Sequence, residues 1–236
     1  MNHRNILLAI MTVIILTSCA SAIGPQSSTP PINLIPMYGY PDIEKSAAQK
    51  KSDEKFIKSV VANSGTREKA SKEFAVEGWR HFKGDTENAM RRFNQSWLLN
   101  PNYYQPYWGF GALLWAQENT DGAIIHYNKS LSLIDDNREK PRLLTDTARA
   151  YSKKGFTATD KIKSKEYFRE ANSLFNTALT LDPHYDNAYR DWPRSLYLEG
   201  NYTKAWEIVK KSHALGSHDF DPKFIEALSR KMPEPK

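Results

Sequence analysis

Cys19 is the only cysteine in the 236-residue chain, and its thiol is a possible nucleophile, metal ligand or attachment point. An internal disulfide is excluded because the chain holds no second cysteine. Thr17 and Ser18 precede it directly, and residues 6–16 form an uncharged, mostly apolar stretch behind Arg4. That stretch is well below the roughly 20 residues that a bilayer-spanning helix needs. It therefore predicts an export signal that ends at the cysteine.

The tetrad Leu16-Thr17-Ser18-Cys19 resembles the lipobox of bacterial lipoproteins, in which an aliphatic residue and two small residues precede the lipidated cysteine. The resemblance implies a lipoprotein signal peptide at 1–18. It also implies a mature chain that starts at Cys19 and carries acyl chains, palmitate among them. Several acyl chains hold a protein on a membrane much more firmly than one. The alternative is an ordinary secretory signal with an incidental cysteine.

The residues after the cysteine indicate the membrane in which the anchor would lie, and the net charge indicates the class of partner. In lipoproteins of bacteria with two membranes, an aspartate after the cysteine often marks retention in the inner membrane. Here Ala20 and Ser21 follow, which implies the periplasmic face of the outer membrane. The net charge is +6, and removing the leader, whose only Lys, Arg, Asp or Glu is Arg4, lowers it to +5. This mildly basic balance favours anionic partners but not nucleic acid.

The proline content of residues 19–51 predicts an extended tether between the anchor and a folded domain. Proline removes backbone donors and favours extended chain. Such a spacer, at about 3 Å per residue, would hold the folded part tens of ångströms from the membrane. The aromatic segment 37–41 either docks on the folded domain or is a turn without a role. The prolines of the tether are Pro25, Pro30, Pro31, Pro36 and Pro41.

Residues 52–236 predict helices that repeat with a fixed period. Small residues recur at separations of 34, 48 and 34 residues, as Ala89, Ala123, Ala171 and Ala205. A larger apolar residue follows each of them by four positions, as Phe93, Tyr127, Phe175 and Val209. This spacing places both types on one helix face, where the small residue lets a second helix approach and the large one fills the gap. Self-similarity of this kind is typical of helical repeat proteins.

The pattern resembles the tetratricopeptide repeat (TPR), a 34-residue helix–turn–helix, over about residues 66–217. The resemblance implies an all-α solenoid of about four units, and Asp221-Pro222 predicts the start of a C-terminal capping helix. The third unit is 14 residues longer than the others, which predicts a protruding loop or an extended helix hairpin near 156–166. Pro193 lies inside the fourth unit and predicts a helix that starts late or kinks.

In the TPR family the first helices of successive units line a concave groove that binds peptides. Carried over to this chain, the groove is aromatic at its N-terminal end and cationic at its C-terminal end. This implies a peptide partner with an apolar anchor and an acidic or carboxylate end. Alternatively, the tryptophans are buried core. The groove positions fall on Lys72, Trp79, Phe82, Lys83, Gln105, Trp108, Trp115, Arg142, Arg149, Lys153, Arg190, Arg194 and Tyr197.

Signatures of bond chemistry are missing from the sequence. There is no Gly-x-Ser-x-Gly elbow and no phosphate-binding loop, and no cofactor is implied. His213 and His218 are five residues apart, a spacing that does not share one helix face, so no metal site is predicted. His126 is interpreted as a packing residue. We expect the lysine-rich stretch 153–165 either to contact anionic lipid or cell-wall polymer, or to be solvated without a partner.

The favoured function is therefore a non-enzymatic scaffold for protein–protein interaction in the bacterial cell envelope. Such a scaffold would bind another envelope protein in its groove, for example to assemble pilus or secretion machinery or to recruit cell-wall enzymes. The alternative is a carbohydrate- or peptidoglycan-binding protein, or a hydrolase, that uses the aromatic part of the groove.

Overall fold

The computed structural model describes residues 30–216 and 220–235, and the helical unit spans Pro31–Lys236. Cys19, the leader and His218 lie outside the described residues. In the described part the regular secondary structure is helical, which confirms the predicted all-α class. None of these helices has both the length and the apolarity that crossing a bilayer requires. The helices are α1 (Ala47–Ser64), α2 (Arg67–His81), α3 (Thr86–Leu99), α4 (Tyr104–Ala116), α5 (Thr120–Leu133), α6 (Lys140–Thr157), α7 (Lys161–Leu181), α8 (Asp186–Glu199), α9 (Tyr202–Ala214) and α10 (Pro222–Lys231).

Consecutive helices from α2 to α9 form four antiparallel hairpins that stack in chain order. The pairs α2–α3, α4–α5, α6–α7 and α8–α9 pack within a hairpin, while α4 packs on α2 and α3, α6 on α5, and α8 on α6 and α7. Each hairpin thus contacts mainly its neighbours, as in a solenoid. The arrangement confirms the predicted four helix–turn–helix units.

Close contact between glycine and an aromatic ring sets the distance between helices in the first two units. A Cβ atom added at Gly109 of α4 would lie 2.4 Å from the ring of Phe93, and one at Gly78 of α2 would lie 2.5 Å from it. The Phe93 ring is therefore enclosed between two helices that only glycine brings so near. Gly111 stands in the same relation to Tyr127, at 2.4 Å.

The recurring alanines of the sequence pattern lie in the core, as predicted. Ala89, Ala123, Ala171 and Ala205 are all fully buried, each at the second helix of its hairpin. All four second helices begin at an Asp or Asn side chain that accepts a hydrogen bond from the backbone N–H three residues on. The acceptor and the N–H donor are Asp85 and Asn88 (3.0 Å), Asn119 and Gly122 (2.9 Å), Asp160 and Lys163 (3.3 Å), and Asn201 and Lys204 (3.3 Å). These caps fix the turn into each second helix.

The 14-residue excess of the third unit lengthens both of its helices. Helix α6 has 18 residues and α7 has 21, whereas the helices of the other three units have 13 to 15. Only residues 158–160 connect them. Of the two predicted alternatives, the extended hairpin is therefore right. The extension continues the same packing rule, since a Cβ at Gly155 would lie 3.0 Å from the ring of Phe168.

Pro193 does not delay the start of its helix. Helix α8 begins at Asp186, seven residues before the proline, and continues to Glu199. The missing N–H leaves only the Tyr189 carbonyl without its usual donor, and an internal proline costs about 3 kcal/mol. Burial of Trp192 and Leu196 from the same helix offsets that cost. The predicted late start is wrong because tertiary packing outweighs this local preference.

Residues 33–40 are docked on α3, and the first α-helix starts at Ala47 instead of near residue 52. The buried side chain of Asn94 holds the segment. Its Nδ2 donates to the carbonyls of Asn33 (3.0 Å) and Ile35 (2.9 Å), and its Oδ1 accepts from the Tyr38 N–H (3.2 Å). The aromatic segment therefore docks, which was one of the two alternatives for it.

The C-terminal helix α10 covers the open end of the solenoid, as predicted. Leu228 is fully buried, and the Phe224 ring lies 6.1 Å from the Tyr197 ring of α8. The Trp206 indole N–H donates to the Met232 carbonyl at 2.9 Å. These contacts shield the apolar face of α8 and α9 that would otherwise meet water.

Replacing Gly109 with alanine tests the glycine–aromatic packing. The Phe93 ring cannot retreat from the new methyl group because Gly78 encloses its other side. We expect a net loss of about 2 kcal/mol in the free energy of unfolding, since overpacking of about 3 kcal/mol exceeds the roughly 1 kcal/mol gained in helix propensity. Urea unfolding of both proteins measures the difference.

Gly84→Ala is the matched control, because Gly84 has open space around its Cα and does not adopt a left-handed backbone. Equal stability of the two variants would contradict the packing argument.

Candidate functional site

A cleft of about 420 Å³ opens where the first helices of units one to three meet. Helices α2, α4 and α6 supply most of its walls. The cleft therefore lies where the resemblance placed the groove, and it joins aromatic and cationic side chains. Its lining residues are Trp79, Phe82, Ala112, Trp115, Ala116, Tyr127, Arg142, Asp146 and Arg149.

The aromatic wall is rigidly held. The half-buried Trp79 ring makes edge contacts with Phe82 and Trp108, at centroid distances of 5.6 and 5.5 Å. Its indole N–H donates to Gln105 Oε1 at 2.6 Å, and Gln105 Nε2 donates to the Tyr104 hydroxyl at 3.0 Å. Gln105 thus orients Trp79, which differs from its predicted role as a groove contact.

Trp108 is core, which corrects its assignment to the groove. Only 1% of its surface is exposed, because it lies at the junction of α2, α4 and α6. Its indole N–H donates to Asp146 Oδ2 at 3.0 Å. Trp115, two helical turns further along α4, is half-buried and lines the cleft. The two tryptophans share a sequence pattern but differ in accessibility.

Two arginines of α6 lie against the aromatic wall. The guanidinium carbon of Arg142 is 5.0 Å from the Trp108 ring centroid and 5.9 Å from that of Trp79. The guanidinium carbon of Arg149 is 5.8 Å from the Trp115 ring centroid. Cations above indole faces are attracted by the negative potential of the ring. The contacts hold both guanidinium groups at the cleft before any ligand arrives.

Two aspartates that the sequence analysis missed neutralise part of the cationic wall. Asp191 lies within 3.6 Å of Arg149, 3.4 Å of Arg190 and 3.6 Å of Arg194, and its side chain is only 11% exposed. Its Oδ2 is buried and makes no hydrogen bond. Asp146 lies 3.6 Å from Arg149. The aspartates precede Arg149 and Arg194 by three residues, a spacing at which helical side chains meet, so the signal was present in the sequence.

Burial raises the pKa of Asp146, although the Trp108 hydrogen bond and the nearby Arg149 act in the opposite direction. A carboxyl with a raised pKa makes folding less favourable as pH rises above its ordinary range. Asp146 therefore carries an energetic cost at neutral pH, and it holds together the indole of Trp108 and the guanidinium of Arg149. Arg142, in contrast, forms no ion pair in the described part of the chain.

The remaining predicted residues divide into two groups. Five of them lie outside the cleft lining, namely Lys72 on α2, Lys83 in the turn that follows α2, Lys153 on α6, and Arg190 and Arg194 on α8. Tyr197 packs against α10 instead of the cleft, with its ring 6.1 Å from Phe224. Its aromatic character serves the C-terminal cap, which corrects its assignment to the groove. Exposed apolar residues were missed, notably Val76, which lies one turn before Trp79 on the same helix.

In residues 30–216 and 220–235, no three His, Cys, Asp or Glu side chains group as metal ligands do. His126 is a packing residue, as interpreted from the sequence. Its ring stacks near Tyr107 at 6.4 Å and meets the edge of Phe110 at 5.4 Å. Burial lowers its pKa to about 4.

A search of solved structures finds a similar fold in a thermophilic TPR protein from Thermus thermophilus. The TM-score is 0.54, and the match covers 68% of this chain and 80% of that chain, at 17% sequence identity. The fold is that of a TPR solenoid. At this identity the likeness concerns the fold alone. No protein-family model and no curated protein matches the chain. Within the TPR fold, α2, α4, α6 and α8 are the first helices, and the cleft lies on the first three of them.

Trp108 and Trp115 should respond differently to the same substitution. Trp108→Phe leaves a void and deprives the Asp146 carboxylate of its donor, so we expect a loss of about 3 kcal/mol in unfolding free energy. Trp115→Phe, at the half-exposed wall, serves as the control and should cost less than about 1 kcal/mol. Urea unfolding followed by circular dichroism measures both. Similar losses in the two variants would contradict the assignment of Trp108 to the core.

Proposed function

We propose that this chain is a lipid-anchored scaffold of the bacterial cell envelope whose TPR cleft holds a peptide segment of another protein. The cleft that joins the indoles of Trp79 and Trp115 to the guanidinium groups of Arg142 and Arg149 carries this proposal. Trp and Arg are the residue types that dominate binding free energy at protein interfaces. The role needs no bond chemistry, since the cleft offers rigid apolar walls and fixed charges.

The occupant should carry an apolar side chain beside an acidic group or a terminal carboxylate. The apolar part would lie against Phe82 and Trp115, which are half-buried and accessible from the cleft. The carboxylate would bind Arg142, whose guanidinium has no competing carboxylate within ion-pair distance among the described residues. Arginine binds carboxylates with two parallel hydrogen bonds, which adds direction to the attraction.

Electrostatics favour this acidic partner even after internal pairing. Two arginines, Arg142 and Arg149, line the cleft together with one aspartate, Asp146, so positive charge is left over for a ligand. Asp146 and Asp191 also limit that charge, because each shares its carboxylate with arginines of the same wall. A strongly acidic ligand would therefore displace part of an existing network.

The anchor and the location rest on the sequence. The tetrad that ends at Cys19 supports lipidation, and Ala20 and Ser21 support the periplasmic face of the outer membrane. An envelope scaffold at that site would position a pilus or secretion component, or a cell-wall enzyme. A carbohydrate- or peptidoglycan-binding role is the second candidate, because the half-exposed indole of Trp115 offers a surface on which a sugar ring can stack.

Site-specific crosslinking in intact cells tests the cleft. A photo-crosslinking residue replaces Ala116, which lines the cleft and is exposed, and the control position is Ile125 on α5, which is 65% exposed. We expect an adduct with an envelope protein from position 116 and none from position 125. Adding Arg142→Glu should reduce the adduct about tenfold or more, because a carboxylate of the partner would then face a like charge.

Two variants that change the charge of this region, Arg142→Glu and Asp191→Asn, separate the two candidate functions. With the captured segment as a synthetic peptide, Asp191→Asn should tighten binding, since it frees the three surrounding arginines. A sugar ligand would instead be lost in Trp115→Ala and be indifferent to both charge changes. Absence of any adduct at position 116, or binding unaffected by Arg142→Glu, would overturn the peptide proposal.

Metabolic labelling tests the anchor. In cells fed an alkyne analogue of palmitate, we expect the parent chain to carry the label and to fractionate with membranes. Cys19→Ala should lose the label, because no other cysteine is available as the acceptor. A parent chain that stays unlabelled while a known lipoprotein in the same cells is labelled would refute the lipid anchor and leave the cleft proposal standing.

A further inference from the structure

The extension of the third unit exposes two large apolar side chains at its end. We define the hairpin tip as residues 153–166, which comprise the last turn of α6, the connection 158–160 and the first turns of α7. Phe156 is 59% exposed and Ile162 is 72% exposed. They lie on opposite sides of a three-residue connection, so the same end of the hairpin presents both. Neither belongs to the apolar core of the solenoid.

The same tip is rich in lysine. Four lysines are exposed, while Lys154 is held by Asp121 of α5 at 2.6 Å. Of the two acidic residues in the tip, Asp160 accepts the backbone N–H of Ile162 and thereby caps α7. Glu118 of the turn between α4 and α5 and Asp121 of the first turn of α5 face the tip across a polar cleft. Positive charge predominates at the tip, and the exposed lysines are Lys153, Lys161, Lys163 and Lys165.

Apolar side chains flanked by lysines match the boundary of an anionic bilayer. At that depth Phe and Ile reach the acyl region, while lysine side chains extend their ammonium groups toward phosphates. Charge complementarity selects anionic over zwitterionic lipid, since lysines near such a surface are attracted by its negative potential. The hairpin extension supplies the reach, because it carries these residues beyond the length of the other units.

We propose that the hairpin tip docks on the surface of an anionic phospholipid bilayer. Phe156 and Ile162 insert between lipid chains, and the exposed lysines contact headgroup phosphates. This surface is separate from the peptide cleft, and the contact does not depend on the lipid at Cys19. It gives the domain a second, reversible point of contact with a membrane.

An environment-sensitive fluorophore at the tip tests the proposal in the full chain. In a Cys19→Ser background, Ile162→Cys supplies one cysteine for labelling with a nitrobenzoxadiazole group. With vesicles of phosphatidylglycerol we expect a blue shift, an intensity gain and protection from a water-soluble quencher. Vesicles of phosphatidylcholine should give little change, and added salt should weaken the effect because it screens the lysines. The matched label site is Ile125→Cys, which is also exposed and should stay in water.

Two charge-reversal variants then distinguish binding through the tip from binding through any basic surface of the protein. The tip variant carries Lys161→Glu, Lys163→Glu and Lys165→Glu. Glutamate near the start of α7 interacts favourably with the helix dipole, so these changes should not destabilise the helix. The control variant makes the same change in charge at three lysines of α1, with Lys51→Glu, Lys55→Glu and Lys58→Glu. We expect vesicle partitioning to fall about tenfold or more in the tip variant and less than about twofold in the control.

Several results would overturn the proposal. They are an unshifted label at position 162, equal shifts at 162 and 125, equal shifts with both lipids, and equal losses in the two charge variants. Salt-sensitive binding of the anionic vesicles without a blue shift would mean that Phe156 and Ile162 do not insert, and it would also refute the proposal. Peptide binding in the cleft is measured without vesicles, so either proposal can fail alone.

Discussion

The close approach of helices at glycine–aromatic contacts is the constraint on which the rest of the structure depends. The Phe93 ring is enclosed by Gly78 of α2 and Gly109 of α4, so one side chain fixes the spacing of three helices. Protein interiors pack like crystals, so a single methyl group at either glycine must displace a neighbour. The contact between Gly111 and Tyr127 repeats the device one unit further on. Stacked in this way, the first helices come into line, and their exposed faces form one continuous wall.

That wall is pre-organised by its own charges. Asp191 lies among three arginines, and Asp146 joins an indole N–H to a guanidinium group. A buried carboxylate oxygen without a hydrogen bond costs free energy unless nearby cations compensate. The arginines of α6 and α8 are thereby kept in place across the boundary between two units. A ligand that binds there meets side chains whose conformational freedom has already been lost, which lowers the entropic cost of binding.

The sequence predicted the fold more completely than it predicted which side chains line the cleft. The repeat period and the residue types placed Ala89, Ala123 and their equivalents in the core, because close packing of helices requires small residues at a fixed spacing in the sequence. Trp108 and Trp115 carry the same residue type on the same helix, yet only the structure shows which one the neighbouring helix α6 covers. The bond from Asn94 to residues 33–38 joins segments about 60 residues apart, which no local pattern reveals. Pro193 shows the converse case, in which a strong local preference is overridden by burial of the helix around it.

The docked N-terminal segment would shorten the reach of an anchor at Cys19. A tether through residue 51 would let the domain move far from a membrane, but Asn94 and the rings of Tyr38, Tyr40 and Trp97 hold residues 33–40 on α3. For an anchor at Cys19, the chain up to Pro31 reaches about 40 Å at most. A domain anchored in that way would stay near the bilayer, where the hairpin tip would meet lipid at high local concentration. The N-terminal segment docks on α3, whereas the cleft is lined mainly by α2, α4 and α6, so a ligand in the cleft does not require release of this segment.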